Sequence, residues 1–218
     1  MKRILIFLFS FNAFSATAQL YEQEQRYFFW PFNSENTTIY GISFDDLNSD
    51  GQAKFVRTNG LRLELLGLGV LLPAANGSPI TGADTIIYTS HFCEEIVNGL
   101  SISTGSFGDF SYNGVAISVT AQYGPELNGI ALAGISNSMD MVNGLQATAL
   151  QNEALLCNGL QIGARNFAIK LRGVQIGLFN KSNDTRGFQI GLWNVNEKRK
   201  WPIFNWKLLP NSTGTKRP

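Results

Sequence analysis

Residues 172–194 read RGVQIGLFNKSNDTRGFQIGLWN, in which the phrase R-G-apolar-Q-I-G-L-aromatic-N occurs twice with five residues between the copies. The phrase belongs to a longer series. Asn-Gly stands at 98–99, 113–114, 128–129, 143–144 and 158–159, a constant step of 15, and Arg172-Gly173 and Arg186-Gly187 continue it at a step of 14. Self-similarity at a fixed short period marks a repeat architecture, because one such unit cannot bury its own apolar face and stacked copies can.

Each unit follows one internal pattern. The residue after glycine is apolar, from Leu100 and Val115 through to Val174 and Phe188, and the residue two further on is apolar again, from Ile102 to Ile190. Gln146, Gln161, Gln175 and Gln189 form a column between them. Alternation of period two marks a strand with one buried face. The expected arrangement therefore puts the apolar columns inside and the glutamines outside, where they can stack as amide ladders. Fainter copies begin at Tyr40-Gly41 and Asn59-Gly60, so the β-repeat domain is expected over 40–199, with an insertion at about 71–97 rich in turn residues.

Three all-β architectures use such a pattern. In a β-solenoid each 14–15-residue unit is one coil, and equivalent residues stack about 4.8 Å apart. In an antiparallel meander Asn-Gly would be a hairpin turn, and in an antiparallel membrane barrel each unit would be a strand of about 9–11 residues with its turn. Position-by-position identity favours the solenoid, since only parallel stacking lets each residue meet its own equivalent.

The ends carry separate signals. Lys2 and Arg3, the apolar stretch to Phe14 and Ala16-Thr17-Ala18 have the order of a secretory signal peptide over 1–18, cleaved to leave Gln19. Removing it moves the formal charge from +1 to −1, because it carries two basic and no acidic residues. A near-neutral chain has no electrostatic footprint for nucleic acid. Residues 19–39, with Tyr27, Phe28, Phe29, Trp30 and Phe32, are expected to cap one end of the stack, and 200–218 to form the other cap and a tail. Trp201 and Trp206 among Lys198, Arg199, Lys200 and Lys207 also suit peripheral contact with a membrane surface.

The phrases GVQIGLFN and GFQIGLWN, with NGLQIG before them, resemble the tandem G-[LVF]-Q-I-G-[LI]-x-N units of the bacterial surface-repeat-containing proteins. The resemblance is sharpest over 158–194 and looser back to Asn98, and the ending NEKRKWPIFNW is also similar. Ser101 and Ala116 depart from the pattern by standing where glutamine would be. The resemblance implies export and an envelope or surface location. It implies no enzymatic activity, catalytic residue or cofactor.

Few residues invite chemistry. Asp46, Asn48 and Asp50, followed by Gly51, match the first half of a calcium loop, but Arg57 occupies the twelfth position, where a bidentate glutamate is required. An Asx-rich turn is the simpler reading. His91, Cys93, Glu94 and Glu95 lack the second His or Cys pair of a zinc site. Regular stacking would place Cys93 and Cys157 about four coils apart, roughly 19 Å, too far for a disulfide. A possible lateral binding face comprises Gln161, Gln175 and Gln189 with Phe179 and Trp193. The first functional reading is an exported, non-enzymatic envelope or surface scaffold. The alternatives are a small outer-membrane β-barrel and a carbohydrate-binding or carbohydrate-active solenoid.

Overall fold

The computed structural model describes residues 24–30, 36–45, 55–65, 67, 70–71 and 95–208. The strands are β1 (Glu24–Trp30), β2 (Thr37–Asp45), β3 (Val56–Glu64), β4 (Glu95–Ser103), β5 (Ser106–Phe107) and β6 (Phe110–Ser118). They continue as β7 (Ala121–Ala133), β8 (Ser136–Thr148), β9 (Gln151–Ile162), β10 (Arg165–Ile176), β11 (Phe179–Val195) and β12 (Lys200–Lys207). In space the order is β1-β2-β3-β4-β6-β7-β8-β9-β10-β11-β12, with β5 paired to β7. Every neighbour from β1 to β11 is parallel and in register, and from β2 onward glycine stacks on glycine, as in Gly99↔Gly114 and Gly173↔Gly187. The fold is a β-solenoid of 14–15-residue coils. A meander or membrane barrel would set neighbours antiparallel, and a barrel has no end strands. Here β1 and β12 lie at opposite ends.

The change of step from 15 to 14 has a local cause. Ala147 pairs with Ile162 and Ser136 with Gln151, whereas Ile162 pairs with Ile176 and Gln151 with Arg165. β8 ends on Thr148, which pairs with Ala133 and has no equivalent in β9, whose last residue is Ile162; the bends that follow, Ala149-Leu150 and Gly163-Ala164, have two residues each. The strand loses its final residue, from 13 to 12, and the bend keeps its length.

The glycine column is fixed by close approach. Gly129 has φ +146°, and a Cβ there would lie 2.0 Å from the Gly114 carbonyl oxygen of the preceding coil. No side-chain-bearing residue fits without moving that backbone. The array reaches further back than 40, because β1 is itself a parallel member with Phe28 in the glycine position. Phe28 has φ 71°, and among the described residues no strand precedes it for its Cβ to strike. The aromatic N-terminal segment thus extends the stack instead of folding over it.

The structure reverses the expected assignment of faces. Gln146, Gln161, Gln175 and Gln189 are fully buried, while Ile130, Ile162, Ile176, Phe188 and Ile190 are 37–42% exposed. The interior is narrow, lined by small columns such as Ala154–Ala168–Ser182 and Cys157–Leu171–Thr185. An amide on one arm of the coil therefore reaches a backbone carbonyl on the other. Gln175 Nε2 donates to Lys181 O (3.2 Å) and to Gln161 Oε1 (2.8 Å), and its own Oε1 accepts from Gln189 Nε2 (2.9 Å). The expected amide ladders exist, but inside.

A second inner ladder runs the other way. Asn152 donates to Asn166, Asn166 to Asn180 and Asn180 to Asn194, at 2.7–2.8 Å, and each donor amide also reaches a carbonyl, as Asn180 does to Ile190 O (2.9 Å). A third ladder, at the turn into the glycine, joins Asn59, Asn98, Asn113, Asn128, Asn143 and Asn158. Buried amides with every partner present bind strongly in a low-dielectric interior, whereas one missing partner would be costly. Much of the apolar core lies two residues before the glycines from Gly99 to Gly173, at Val97, Tyr112, Leu127, Val142, Cys157 and Leu171, and Ala116 and Ala131 join it from the glutamine column.

At the far end β12 turns back antiparallel on β11, with a bulge between Gly191 and Asn194. Asn205 completes the inner column by donating to Gln189 Oε1 (3.1 Å). Pro202 sits on this edge strand, where a missing N–H does no harm and discourages further pairing.

Candidate functional site

The reversal of faces creates a prominent surface on the described residues. The positions one and three residues after each glycine point outward, and the parallel register stacks them into two straight apolar columns. One column runs Ile42, Leu61, Leu100, Val115, Ile130 and onward to Phe188, and the other Phe44, Leu63, Ile102, Ile117, Leu132 and onward to Ile190. Phe29 extends the first column at one end. At the other, Trp206 and Phe204 pair with Phe188 and Ile190 and carry both columns onto β12, their rings stacked with centroids 5.3 Å apart. No charged residue occupies either column. Eleven strands at about 4.8 Å make the ribbon roughly 50 Å long.

Charge is segregated along the stack. Among the described residues, those up to 157 hold 3 basic and 8 acidic residues, net −5, and residues 158–208 hold 9 basic and 2 acidic, net +7. No Lys or Arg occurs between Arg62 and Arg165. Among the described residues, β10 to β12 thus form a basic end beside a long acidic stretch.

The basic end is ordered by aromatic rings. The Arg199 guanidinium lies over Trp201 and Trp206, 4.9 and 4.5 Å from their centroids, and donates to the Trp206 carbonyl. Lys207 is paired with Glu197. Lys198, Arg199, Trp206, Lys207 and Leu208 line a cavity of about 360 Å³. Nearby, Arg172 Nη2 lies 2.6 Å from Asp184 Oδ2. Partial burial acts to raise the Asp184 carboxyl, but the Arg172 hydrogen bond and charge, with Lys207 and Arg186, hold it below its ordinary value.

Where β3 meets β4, the inner glutamine position is taken by Arg62, which is fully buried. It is bound to Glu64 (2.9 Å) and Glu95 (3.1 Å), with the Phe110 ring 4.3 Å away. Beyond it, burial raises the Tyr112 hydroxyl against the opposing effects of Arg62 and a hydrogen bond with Ser106. The Arg62–Glu95 pair links β3 to β4, and loss of either partner would leave a charge uncompensated in the interior.

The residues singled out in the sequence do not converge. Gln161, Gln175 and Gln189 are internal and cannot form an exposed face, while Phe179 and Trp193 are exposed at the outer corner. Trp201 and Trp206 are both about half exposed on β12. Glu95 opens β4 and is buried against Arg62. Asp46, Asn48, Asp50, His91, Cys93 and Glu94 lie outside the described residues. Cys157 is a free thiol, buried, with its pKa pushed up to about 12 by burial. The Asn152–Asn194 ladder carries no role in the sequence reading, although Asn180 and Asn194 close the repeated phrase. No family model, curated protein or solved structure matches the chain.

Proposed function

We propose that this chain is an exported, non-enzymatic repeat protein that acts as an envelope or cell-surface scaffold. The observation that carries the reading is the uncharged apolar ribbon along a stack of eleven strands, which three amide ladders tie together. A contiguous exposed apolar surface of this size marks an interaction site. Export is supported by the signal-like order of residues 1–18, and the surface location by the resemblance over 158–194. Fractionation of cells with N-terminal sequencing tests the location: Gln19 at the N-terminus of an envelope fraction supports it, and an intact Met1 in the cytosol overturns it.

Carbohydrate binding is the second reading, favoured by the cavity at Lys198, Arg199 and Trp206, where an aromatic ring and cations suit an acidic sugar. Incubation with acidic glycans separates the two. Retention without turnover at this end fits a scaffold that also binds sugar, and cleavage products would overturn the non-enzymatic reading.

A further inference from the structure

We propose that the ribbon is the contact surface for a second copy of this chain, packed face to face with the two stacks antiparallel. The proposal rests on the scaffold reading and names its partner.

Area is the first argument. Two outward side chains per strand, many of them 37–42% exposed, give about 1,000 Å² of continuous apolar surface. Monomeric proteins show largest patches of about 300–600 Å², and a stable interface needs about 800 Å² per partner. Spacing is the second. The columns repeat at about 4.8 Å, and a second copy offers ridges and grooves of the same period at the ordinary sheet-to-sheet distance of about 10 Å.

Charge decides the orientation. Parallel stacks would set the net −5 stretch beside its equal and the net +7 stretch beside its equal. Antiparallel stacks set each beside its opposite. The charges flank the ribbon and do not enter it, so they select orientation while apolar contact supplies the adhesion. The resulting arrangement is isologous. Its twofold axis crosses β7, the sixth of eleven strands in the spatial order, at Ile130 and Leu132. Ile176 on β10 then faces Leu63 of the partner subunit.

The test uses residues 19–218 in detergent-free buffer. Sedimentation is expected to show twice the chain mass, and Ile130→Lys with Leu132→Lys to give the single-chain mass with an unchanged β spectrum. In a Cys93→Ser background, Ile176→Cys is expected to cross-link to Leu63→Cys in mixed samples and not to itself, since antiparallel packing separates two copies of position 176 by about 29 Å. Raising the salt from low to about 0.5 M should weaken association roughly threefold or more. A single-chain mass for the unsubstituted protein overturns the proposal, as does self-linking of Ile176→Cys, which means parallel stacks. Uptake of the single chain onto phosphatidylglycerol vesicles would assign the ribbon to lipid and also overturn it. None of these results touches export or the lack of turnover, which fail only by the experiments above.

Discussion

Replacing Gln175 by leucine should cost far more than replacing Ile176 by glutamine, the reverse of what hydrophobicity alone suggests. Gln175 is fully buried and takes part in three hydrogen bonds, to Gln161, Lys181 and Gln189. Leucine would leave Gln161 Oε1 without that donor, remove one donor from Lys181 O and leave Gln189 Nε2 with only Val195 O. Each buried polar group deprived of its partner costs about 1–3 kcal/mol, and added apolar burial returns about 1 kcal/mol, so a net loss of about 2–5 kcal/mol is expected. Ile176 is 38% exposed on the ribbon, and glutamine there should change the stability of the single chain by less than about 1 kcal/mol. Urea unfolding followed by circular dichroism, on both variants in dilute protein, measures the two differences. Equal losses, or a larger loss for Ile176→Gln, would refute the inverted assignment of faces.

Gly129→Ala should destabilise by about 3 kcal/mol or more, because its Cβ meets a backbone oxygen at 2.0 Å; the urea midpoint reads this directly. Arg62→Met strands Glu64 and Glu95 in the interior and should cost about 3–5 kcal/mol at pH 7, with part of the loss recovered as the pH falls and the carboxyls take protons. Cys157 should resist maleimide at pH 8 until the protein is unfolded. Its thiol keeps its proton up to about pH 12 when folded but loses it from about 9 when unfolded, so its contribution to stability should decline between those values, which a pH series of unfolding curves compared with Cys157→Ala would show. Asp184→Asn should lower stability by less than about 1 kcal/mol. The Asp184 contribution is complete above the ordinary value of 3.8 and disappears as the pH falls through its lowered folded value, so acid titration of the two proteins should converge.

The period and the strand direction were legible in the sequence because in-register stacking demands the same residue at the same place, and Asn143, Asn158 and their equivalents obey it. The inside and the outside were not. Alternation of period two is symmetrical between two faces, and hydrophobicity assigned the Ile column inward where bond satisfaction assigned the Gln column instead. The apolar core at Leu127, Val142, Cys157 and Leu171 escaped notice because a frame drawn at Asn-Gly leaves these residues at the ragged ends of units. Strand β1 escaped for a similar reason, since Phe28 hides the glycine that announces every later coil. The ribbon itself could have been read as an uninterrupted lack of charge at two positions per unit. What it touches depends on the sign of the faces, which only the fold supplies.

The residue missing from the strand end before Gly163-Ala164 has an evolutionary consequence. Because a residue is gained or lost beside the bend without breaking the register of the glycine column, units of either length can be added to the stack or removed from it. Such a chain can change in reach by steps of one strand spacing, about 4.8 Å, and lengthen the apolar strip without a new kind of surface.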